Sequence, residues 1–322
     1  MGQPRSDPIR GRVPYREAKG AGVGELDGER ILVTGGTGFI GRSVVPALLA
    51  EGATVTVADR HRYPSDEVPT VLGDLRDPAV RDAAVAPGLT GVVHLAAVTS
   101  VLGSLADPAL VHQVNVEATA GLLELARLRG VPRFLMSSTN AVTGDVGETT
   151  ISEGMPLRPL TPYGATKAAA EMLLSGYAGG YGMTTCALRL TNVYGPNMAE
   201  KDSLVPRIMR AVRAGEPIRV YGTGAQRRDL VHVRDVVAGL LVAWRAGQVG
   251  PLIVGTGRSV SVLDILAAAG QVVGAPVAVE HVEAKAGEMP AVIVSIERAR
   301  ALGYRPSVEL PEGLATVWDE FR

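Results

Sequence analysis

The sequence is nearly free of cysteine. Its 322 residues include only one, Cys186. A single thiol can form neither an intrachain disulfide framework nor a thiolate metal site. Because Cys186 lies within the apolar run 184–190, we interpret it as a small hydrophobic residue buried on a strand.

Histidine is also scarce, and neither sign of charge is in excess. The five histidines are scattered and show none of the HxxxH or HExxH spacings of zinc-binding helices, so we expect no metal site. Lysine and arginine together number 32, against 33 acidic residues. Because there is no basic surplus, we expect no nucleic acid partner.

Long apolar runs are missing as well. No run approaches the roughly 18 residues that a transmembrane helix needs, so we expect no association with a membrane. Residues 1–27 are polar and lack the hydrophobic segment of a signal peptide. We therefore predict a cytoplasmic protein whose residues 1–27 form a flexible N-terminal extension.

Glycine, in contrast, is abundant, and one glycine-rich stretch has a specific context. Residues 34–41 (TGGTGFIG) follow an apolar run typical of a strand and lead into an apolar-periodic helix. In a dinucleotide-binding turn, Gly35 would permit the tight turn, Gly38 the approach of a pyrophosphate, and Gly41 close helix packing. The N-terminus of the helix would offer free N–H groups to the phosphates.

The fold class follows from strands that alternate with helical patterns. This alternation predicts an α/β protein with a Rossmann-like, doubly wound parallel sheet, which binds ligands at the carboxyl ends of its strands. The predicted strands are Arg30–Thr34, Ala53–Ala58, Thr70–Leu72, Gly91–Leu95, Arg133–Ser137 and Thr184–Leu190. The predicted helices between them are Ile40–Glu51, Ala109–Arg129 and Tyr163–Ala178.

After residue 190 the alternation loosens into stretches punctuated by glycine and proline. We predict a dinucleotide-binding domain at 28–190, with a segment at about 229–256 that returns to it. Residues 191–228 and 257–322 would form a smaller, mixed α/β C-terminal substrate lobe.

Asp59 ends the second predicted strand, 18 residues after Gly41. A carboxylate there can hold both ribose hydroxyls of an adenosine and repels the 2′-phosphate of NADP, so NAD is favoured. Arg60 and Arg62 follow directly, and an arginine at this point can instead accept that phosphate. An ordinary strand-ending turn residue is the alternative interpretation of Asp59.

Tyr163 and Lys167 form a second candidate pair. Positions i and i+4 share one face of a helix, so the phenol and the ammonium would point into the same space. A nearby cation favours the phenolate and lowers the pKa of a tyrosine towards that of a useful base. The chain has four lysines against 28 arginines, so a lysine at this position is less expected by chance than an arginine would be. An exposed tyrosine beside a solvated lysine is the alternative.

The order of the motifs resembles that of a known family, the extended short-chain dehydrogenase/reductases of the NAD-dependent nucleotide-sugar epimerase/dehydratase group. The resemblance covers residues 28–322. The motifs that carry it are TGGTGFIG at 34–41, Asp59, GDL at 73–75, HLAA at 94–97, SST at 137–139, Tyr163-x-x-x-Lys167, RLTNVYGP at 189–196, GTGAQRRD at 222–229, VRDV at 233–236 and VGTG at 254–257.

The resemblance implies NAD as cofactor and assigns roles residue by residue. Tyr163 would be the catalytic base and acid, Lys167 would bind the nicotinamide ribose, and Thr139 would hydrogen-bond the same sugar oxygen as Tyr163. The implied cofactor-binding residues are Gly35, Gly38, Phe39, Ile40, Gly41, Asp59, Arg60, Asp74, Leu75, Leu95, Ala96, Ala97, Tyr163 and Lys167.

The implied substrate is a nucleotide-diphosphate sugar with a UDP or dTDP moiety. Asn192 and Arg228 would anchor its diphosphate through charge-assisted hydrogen bonds. Lys285 stands where the family usually has an arginine, and it lacks the bidentate fork. The implied substrate-binding residues are Thr99, Ser100, Thr139, Asn140, Asn192, Val205, Arg228 and Lys285.

Departures from the family pattern bear on the reaction. Sugar 4,6-dehydratases typically carry Asp-Glu directly after the threonine, and UDP-glucuronate decarboxylases carry Ser-Glu. Here the residues are Asn140 and Ala141, and Thr143 replaces the usual tyrosine. Because a C4 epimerase needs no such carboxylate, we predict a nucleotide-sugar 4-epimerase acting on a UDP-hexose or UDP-uronate.

Three other functions stay open. A nucleotide-uronate decarboxylase is the first, because a β-keto acid loses carbon dioxide readily. A 4-ketoreductase and a non-catalytic NAD-binding protein are the others.

The resemblance also implies a homodimer through helices 109–129 and 163–178, with Leu122, Leu125 and Leu173 either at the contact or in the core.

Overall fold

Three sheets form the framework of the protein, which is described by a computed structural model covering residues 24–283 and 290–322. Within these ranges the strands are β1 Arg30–Thr34, β2 Thr54–Asp59, β3 Thr70–Leu72, β4 Gly91–His94, β5 Arg133–Thr139, β6 Thr184–Leu190, β7 Asn192–Tyr194, β8 Ile218–Tyr221, β9 Arg227–His232, β10 Gly250–Val254, β11 Ser259–Ser261 and β12 Val279–Val282. The largest sheet has seven parallel strands in the order β10-β6-β5-β4-β1-β2-β3. The two smaller sheets are β11-β9-β7 and β12-β8. The predicted doubly wound α/β fold is confirmed.

Helices cover both faces of the large sheet. Across the same described ranges they are α1 Gly41–Ala50, α2 Pro78–Ala84, α3 Val101–Ala106, α4 Pro108–His112, α5 Ala118–Leu128, α6 Pro162–Tyr181, α7 Leu204–Ala214, α8 Val233–Arg245, α9 Val262–Val273, α10 Glu297–Ala301 and α11 Leu310–Trp318. No helix of the described chain is both long and apolar enough to span a bilayer.

The central strands β1 and β4 are mostly apolar because both faces of the sheet are buried. Successive side chains of β1 point to opposite faces. Ile31 and Val33 join one hydrophobic cluster with α1 and α8, whereas Leu32 joins a second cluster with α5 and α6. Cys186 is fully buried on β6, as its apolar surroundings predict.

The C-terminal part of the chain contributes to the large sheet and also forms a separate core. Strand β10 pairs in parallel with β6 at the edge of the sheet, which agrees with a returning segment. A third hydrophobic cluster lies among α7, α9 and α11, with Ile208, Ile265 and Leu314 at its centre. The domain limits drawn from the sequence stay a prediction.

The predicted helix Ala109–Arg129 is interrupted. It begins at Pro108, widens into a π-helical turn at Gln113–Glu117, and continues as α5. Asn115, in that turn, accepts a hydrogen bond from the Val98 N–H (2.9 Å) and donates one to the Val98 carbonyl (3.0 Å). The wide turn therefore connects this helix to the loop after β4, as π-helical turns near functional sites often do.

Leu26, near the end of the predicted extension 1–27, packs against the folded chain. Leu26 is 2% exposed and packs with the cluster under α1. Its N–H donates to the Glu51 carbonyl at 2.9 Å. One apolar residue within a polar stretch was enough to attach this segment to the core. Residues 1–23 lie outside the described chain.

Candidate active site at the carboxyl ends of the strands

The glycine-rich turn lies where the strand order of the sheet reverses, between β1 and β4. Gly35 has a φ of +72°, and a Cβ added there would lie 2.7 Å from the Ala96 nitrogen. A Cβ on Gly41 would lie 2.3 Å from the Gly35 carbonyl oxygen. Only glycine fits at these two positions, and the exposed backbone they leave suits the pyrophosphate of a dinucleotide.

Asp59 is fixed beside this turn. One carboxylate oxygen accepts from the Thr37 N–H at 3.0 Å, and the other accepts from the His61 N–H at 3.2 Å. The side chain is only 10% exposed, whereas Arg60 and Arg62 point to solvent. This geometry suits the predicted contact of Asp59 with an adenosine ribose.

Asp74 and Leu75 follow β3 at the same edge of the sheet. Arg76 binds the Asp74 carboxylate in a bidentate manner, with its Nη2 2.8 Å away. The hydrogen bonds from Arg76 hold the pKa of Asp74 below its usual value, so this carboxylate is ionised at neutral pH. Leu75 is 8% exposed and packs between α2 and the sheet.

The segment after β4 lies against the end of β1. The Leu95 N–H donates to the Thr34 carbonyl at 3.0 Å, and the Ala96 N–H donates to the Thr34 hydroxyl at 3.3 Å. Leu95, Ala96 and Ala97 are each half-buried. These bonds keep the segment close to the glycine-rich turn.

Phe39 and Ile40 link the turn to two different cores. Ile40 packs against the cluster of α1 and α8, whereas Phe39 packs against the cluster of α7, α9 and α11. The Lys201 ammonium lies over the Phe39 ring, 5.6 Å from its centroid. The glycine-rich turn therefore contacts the C-terminal lobe directly.

Helix α6 carries the tyrosine and the lysine. Its N-terminus is set by Thr161, whose hydroxyl accepts from the Gly164 N–H at 3.2 Å, and by a proline in the first turn. Tyr163 makes a side-chain hydrogen bond with Thr139 at the end of β5. Lys167 donates to the Ser137 carbonyl at 2.9 Å. The structure therefore brings the three predicted catalytic residues together.

Burial has the largest effect on the pKa values of Tyr163 and Lys167. It raises the pKa of Tyr163 to about 12, and the hydrogen bond from Thr139 only partly opposes this. Burial also lowers the pKa of Lys167 to about 8. The i, i+4 spacing predicted a lowered pKa for Tyr163. The pKa of Tyr163 is raised instead, because desolvation of the phenol has the largest effect.

His94 belongs to a buried polar chain. Its Nδ1 lies 2.7 Å from the Thr34 hydroxyl, and its Nε2 lies 2.9 Å from the Thr119 hydroxyl. Burial lowers the pKa of His94 to about 3, so the ring is neutral at neutral pH. The sequence-based interpretation of His94 as a packing residue is consistent with these contacts.

The predicted diphosphate anchors lie on neighbouring strands, β7 and β9, which pair in parallel. The Asn192 side chain donates to the Asp229 carbonyl at 3.0 Å, and Arg228 Nη1 donates to the Arg227 carbonyl at 2.9 Å. The fully buried Asp229 carboxylate accepts from the Thr191 hydroxyl (2.8 Å) and the Thr256 N–H (2.9 Å).

Sequence reasoning missed this role of Asp229, which ties the ends of β6 and β10 to the strand that carries Arg228. The sequence did contain a signal for this role, since Asp229 is a carboxylate on the buried, otherwise apolar side of a strand. A buried carboxylate needs several hydrogen-bond donors, which predicts a network around it.

The other predicted substrate residues lie on different elements of the fold. Thr99 is exposed, and Ser100 caps α3 by accepting from the Gly103 N–H at 2.9 Å. Asn140 begins a buried 3₁₀ turn, and Val205 is 3% exposed in the first turn of α7. Lys285 lies outside the described residues. No cluster of metal-ligating side chains occurs in the part of the chain that the structure describes.

The fold and the site together define a class: an α/β protein that binds a nicotinamide dinucleotide at the switch point of a doubly wound sheet, with a tyrosine and a lysine beside it. A family model described as the NAD dependent epimerase/dehydratase family matches residues 31–255. The chain belongs to this family, and its cofactor is NAD.

The relatives include both dehydratases and epimerases. A dTDP-glucose 4,6-dehydratase of Streptomyces griseus is 34% identical, over 89% of this chain and 92% of the relative. The UDP-glucose 4-epimerase of Thermus thermophilus, solved with NAD, is 35% identical with a TM-score of 0.83, over 91% of this chain and 98% of that one. MoeE5, solved with UDP-glucuronic acid and NAD, is 34% identical with a TM-score of 0.82. The match covers 90% of this chain and 98% of MoeE5.

Proposed function

We propose that this protein is an NAD-dependent nucleotide-sugar 4-epimerase that acts on a UDP-hexose or a UDP-uronate. The observation that carries the proposal is the turn after Thr139. That turn, Asn140–Thr143, is largely buried and contains no carboxylate. A 4,6-dehydratase needs an acid and a base there in addition to the tyrosine, whereas a 4-epimerase does not.

The side chains have distinct tasks in this reaction. Tyr163 takes the proton of the C4 hydroxyl, and Thr139 holds the same oxygen through its hydroxyl. Lys167 holds the nicotinamide ribose and supplies the positive charge that a buried phenolate needs. Bound NAD supplies the acceptor, and then the donor, of one hydride at C4. The keto sugar turns over between the two transfers, so no net redox change occurs.

Asn192 and Arg228 anchor the part of the substrate that does not react. A fixed diphosphate leaves the sugar free to rotate about its bond to the phosphate. The Asp229 network supports this anchor because it links the two strands that carry the anchoring side chains. Because both epimers carry the same nucleotide diphosphate, this anchor contacts the part of the substrate that the reaction leaves unchanged.

A product assay tests the proposal. Purified protein is incubated separately with UDP-glucose, UDP-glucuronic acid and dTDP-glucose, first without added reductant and then with NADH, and the sugars are followed by proton NMR. We expect the C4 epimer of a UDP-sugar. A 4-keto-6-deoxy product, released carbon dioxide with a pentose, or turnover only with stoichiometric NADH would replace the epimerase with a dehydratase, a decarboxylase or a ketoreductase.

A homodimer is part of the same proposal. Leu102 and Leu105 on α3 and Met172 on α6 are more than half exposed, and the two helices contact each other. These side chains present apolar area on one side of the protein. Leu122, by contrast, is fully buried and stabilises the protomer, whereas Leu125 and Leu173 are only partly buried against the same core.

Replacing Met172 with glutamate should convert the dimer to a monomer, because a charge at the centre of an apolar contact is desolvated without a partner. Light scattering after size-exclusion chromatography measures the change. Leu49→Glu is the matched control, because Leu49 is exposed on α1, which packs on the other face of the sheet. A wild-type monomer, or a dimer unchanged by Met172→Glu, would contradict the proposed interface.

A further inference from the structure

A buried carboxylate lies one helical turn beyond the catalytic lysine. Lys167 and Glu171 occupy positions i and i+4 of α6, on the face that meets the end of β5. Two consecutive strand residues hold them, since Lys167 donates to the Ser137 carbonyl and the Ser138 hydroxyl donates to Glu171. The strand therefore sets the positions of both charges.

Arg189 completes this arrangement from β6. Its Nε donates to both oxygens of Glu171 at 3.1 Å, and its Nη2 donates to one of them at 2.7 Å. Both side chains are only 3% exposed. Nη1 donates to the Glu153 carbonyl at 3.2 Å, and Arg189 stands opposite Ser138 in the sheet register. Every polar atom of the carboxylate is thus engaged.

A buried ion pair of this kind is poorly explained by stability alone. Well-packed apolar residues of similar volume commonly stabilise a core as well as a buried pair does. What apolar residues cannot supply is a fixed negative charge one helical turn from Lys167. We propose that Glu171, held by Arg189 and Ser138, is a positioning residue that keeps Lys167 charged and aimed at the reacting groups. The inference rests on the proposed function only in that Lys167 acts in catalysis.

The electrostatic effects around Lys167 oppose each other. Burial disfavours the ammonium, and the Glu171 carboxylate favours it. The lysine stays charged below its pKa of about 8 and loses its charge as the pH rises through that value. Without Glu171 the loss would occur at lower pH. The other charged or titratable groups around this pair in the described chain are Tyr163 on α6, His94 on β4, and Cys186 and Arg189 on β6.

The titration of Lys167 can be measured without any substrate. The chain has four lysines, so protein labelled with ¹³C-lysine gives four side-chain signals, and a Lys167→Arg variant assigns the relevant one. We expect Glu171→Gln to move the titration midpoint of Lys167 to lower pH by about one unit. The double variant Glu171→Gln/Arg189→Gln avoids an unpaired buried guanidinium, which protects the test against loss of folding. Its midpoint should move in the same direction by a smaller amount, because the positive charge of Arg189, which itself disfavours the ammonium, is lost as well.

Glu124→Gln is the control, because Glu124 also accepts hydrogen bonds from an arginine, Arg127, but lies on α5. It should leave the Lys167 midpoint unchanged. An unchanged midpoint in a folded Glu171→Gln or double variant would overturn the proposal. The titration requires no turnover. It therefore tests the role of Glu171 even if the protein proves to have another activity.

Discussion

Replacing Tyr163 with phenylalanine should reduce kcat by about 10²- to 10⁴-fold, the usual contribution of a positioned acid–base group. The substitution removes one oxygen atom from a buried ring and leaves its packing in place. Bound NAD should be retained, because the glycine-rich turn and Asp59 are untouched. The measurements are the rate of C4 epimerisation by NMR and the NAD content of the purified variant.

Tyr177→Phe is the matched control for this result. Tyr177 lies on the same helix, but its hydroxyl donates to Glu124 at 2.9 Å, on the side of the helix that faces α5. Its loss should leave kcat unchanged. A non-catalytic NAD-binding protein would lose nothing by either substitution. Full activity in Tyr163→Phe would therefore remove Tyr163 from the mechanism and reopen the function.

The sheet could be predicted from the sequence because its determinants are local. Runs such as Arg30–Thr34 and Gly91–His94 are mostly apolar, and each is followed by a helix pattern or a turn. The glycine-rich turn was equally visible, since the positive φ of Gly35 and the close approach of Gly41 to the Gly35 backbone are both local. In both cases, one short stretch of sequence contains the whole physical reason.

Features that depend on contacts between distant residues could not be predicted in this way. The π-helical turn at Gln113–Glu117 leaves the apolar periodicity of its helix unchanged and is explained only by the bonds of Asn115 to Val98. The pairing of Glu171 with Arg189 joins a helix to a strand 18 residues away. Its two members are ordinary charged residues when each is considered alone.

The raised pKa of Tyr163 also depends on residues that are distant in the sequence, because they bury the phenol. Spacing along the helix correctly placed a lysine near the phenol, but it gave no information about how much water reaches the site. Desolvation outweighs every charge near Tyr163, so the sign of the shift came out opposite to the expected one. The proposed epimerase reaction therefore depends on a positive charge at Lys167, and that charge depends in turn on Glu171.

The glycine-rich turn should be the most sensitive point for cofactor binding, and Gly41→Ala tests it. An added Cβ would lie 2.3 Å from the Gly35 carbonyl oxygen and 2.6 Å from the Gly36 Cα, which are backbone atoms with no freedom to rotate away. The turn must open, at a cost of about 1–3 kcal/mol typical of overpacking. We expect NAD to bind about 10- to 100-fold more weakly.

Calorimetric titration of the apoprotein with NAD measures this change, and Gly180→Ala is its control. Gly180 is exposed on α6, and a Cβ there would meet no atom within 4 Å. Alanine in a helix interior should stabilise the fold by about 0.5–1 kcal/mol relative to glycine and leave NAD affinity unchanged. Wild-type affinity in Gly41→Ala would mean that the pyrophosphate does not bind at this turn. Weak binding in that variant alone would mean that the close contact between Gly35 and Gly41 shapes the cofactor site.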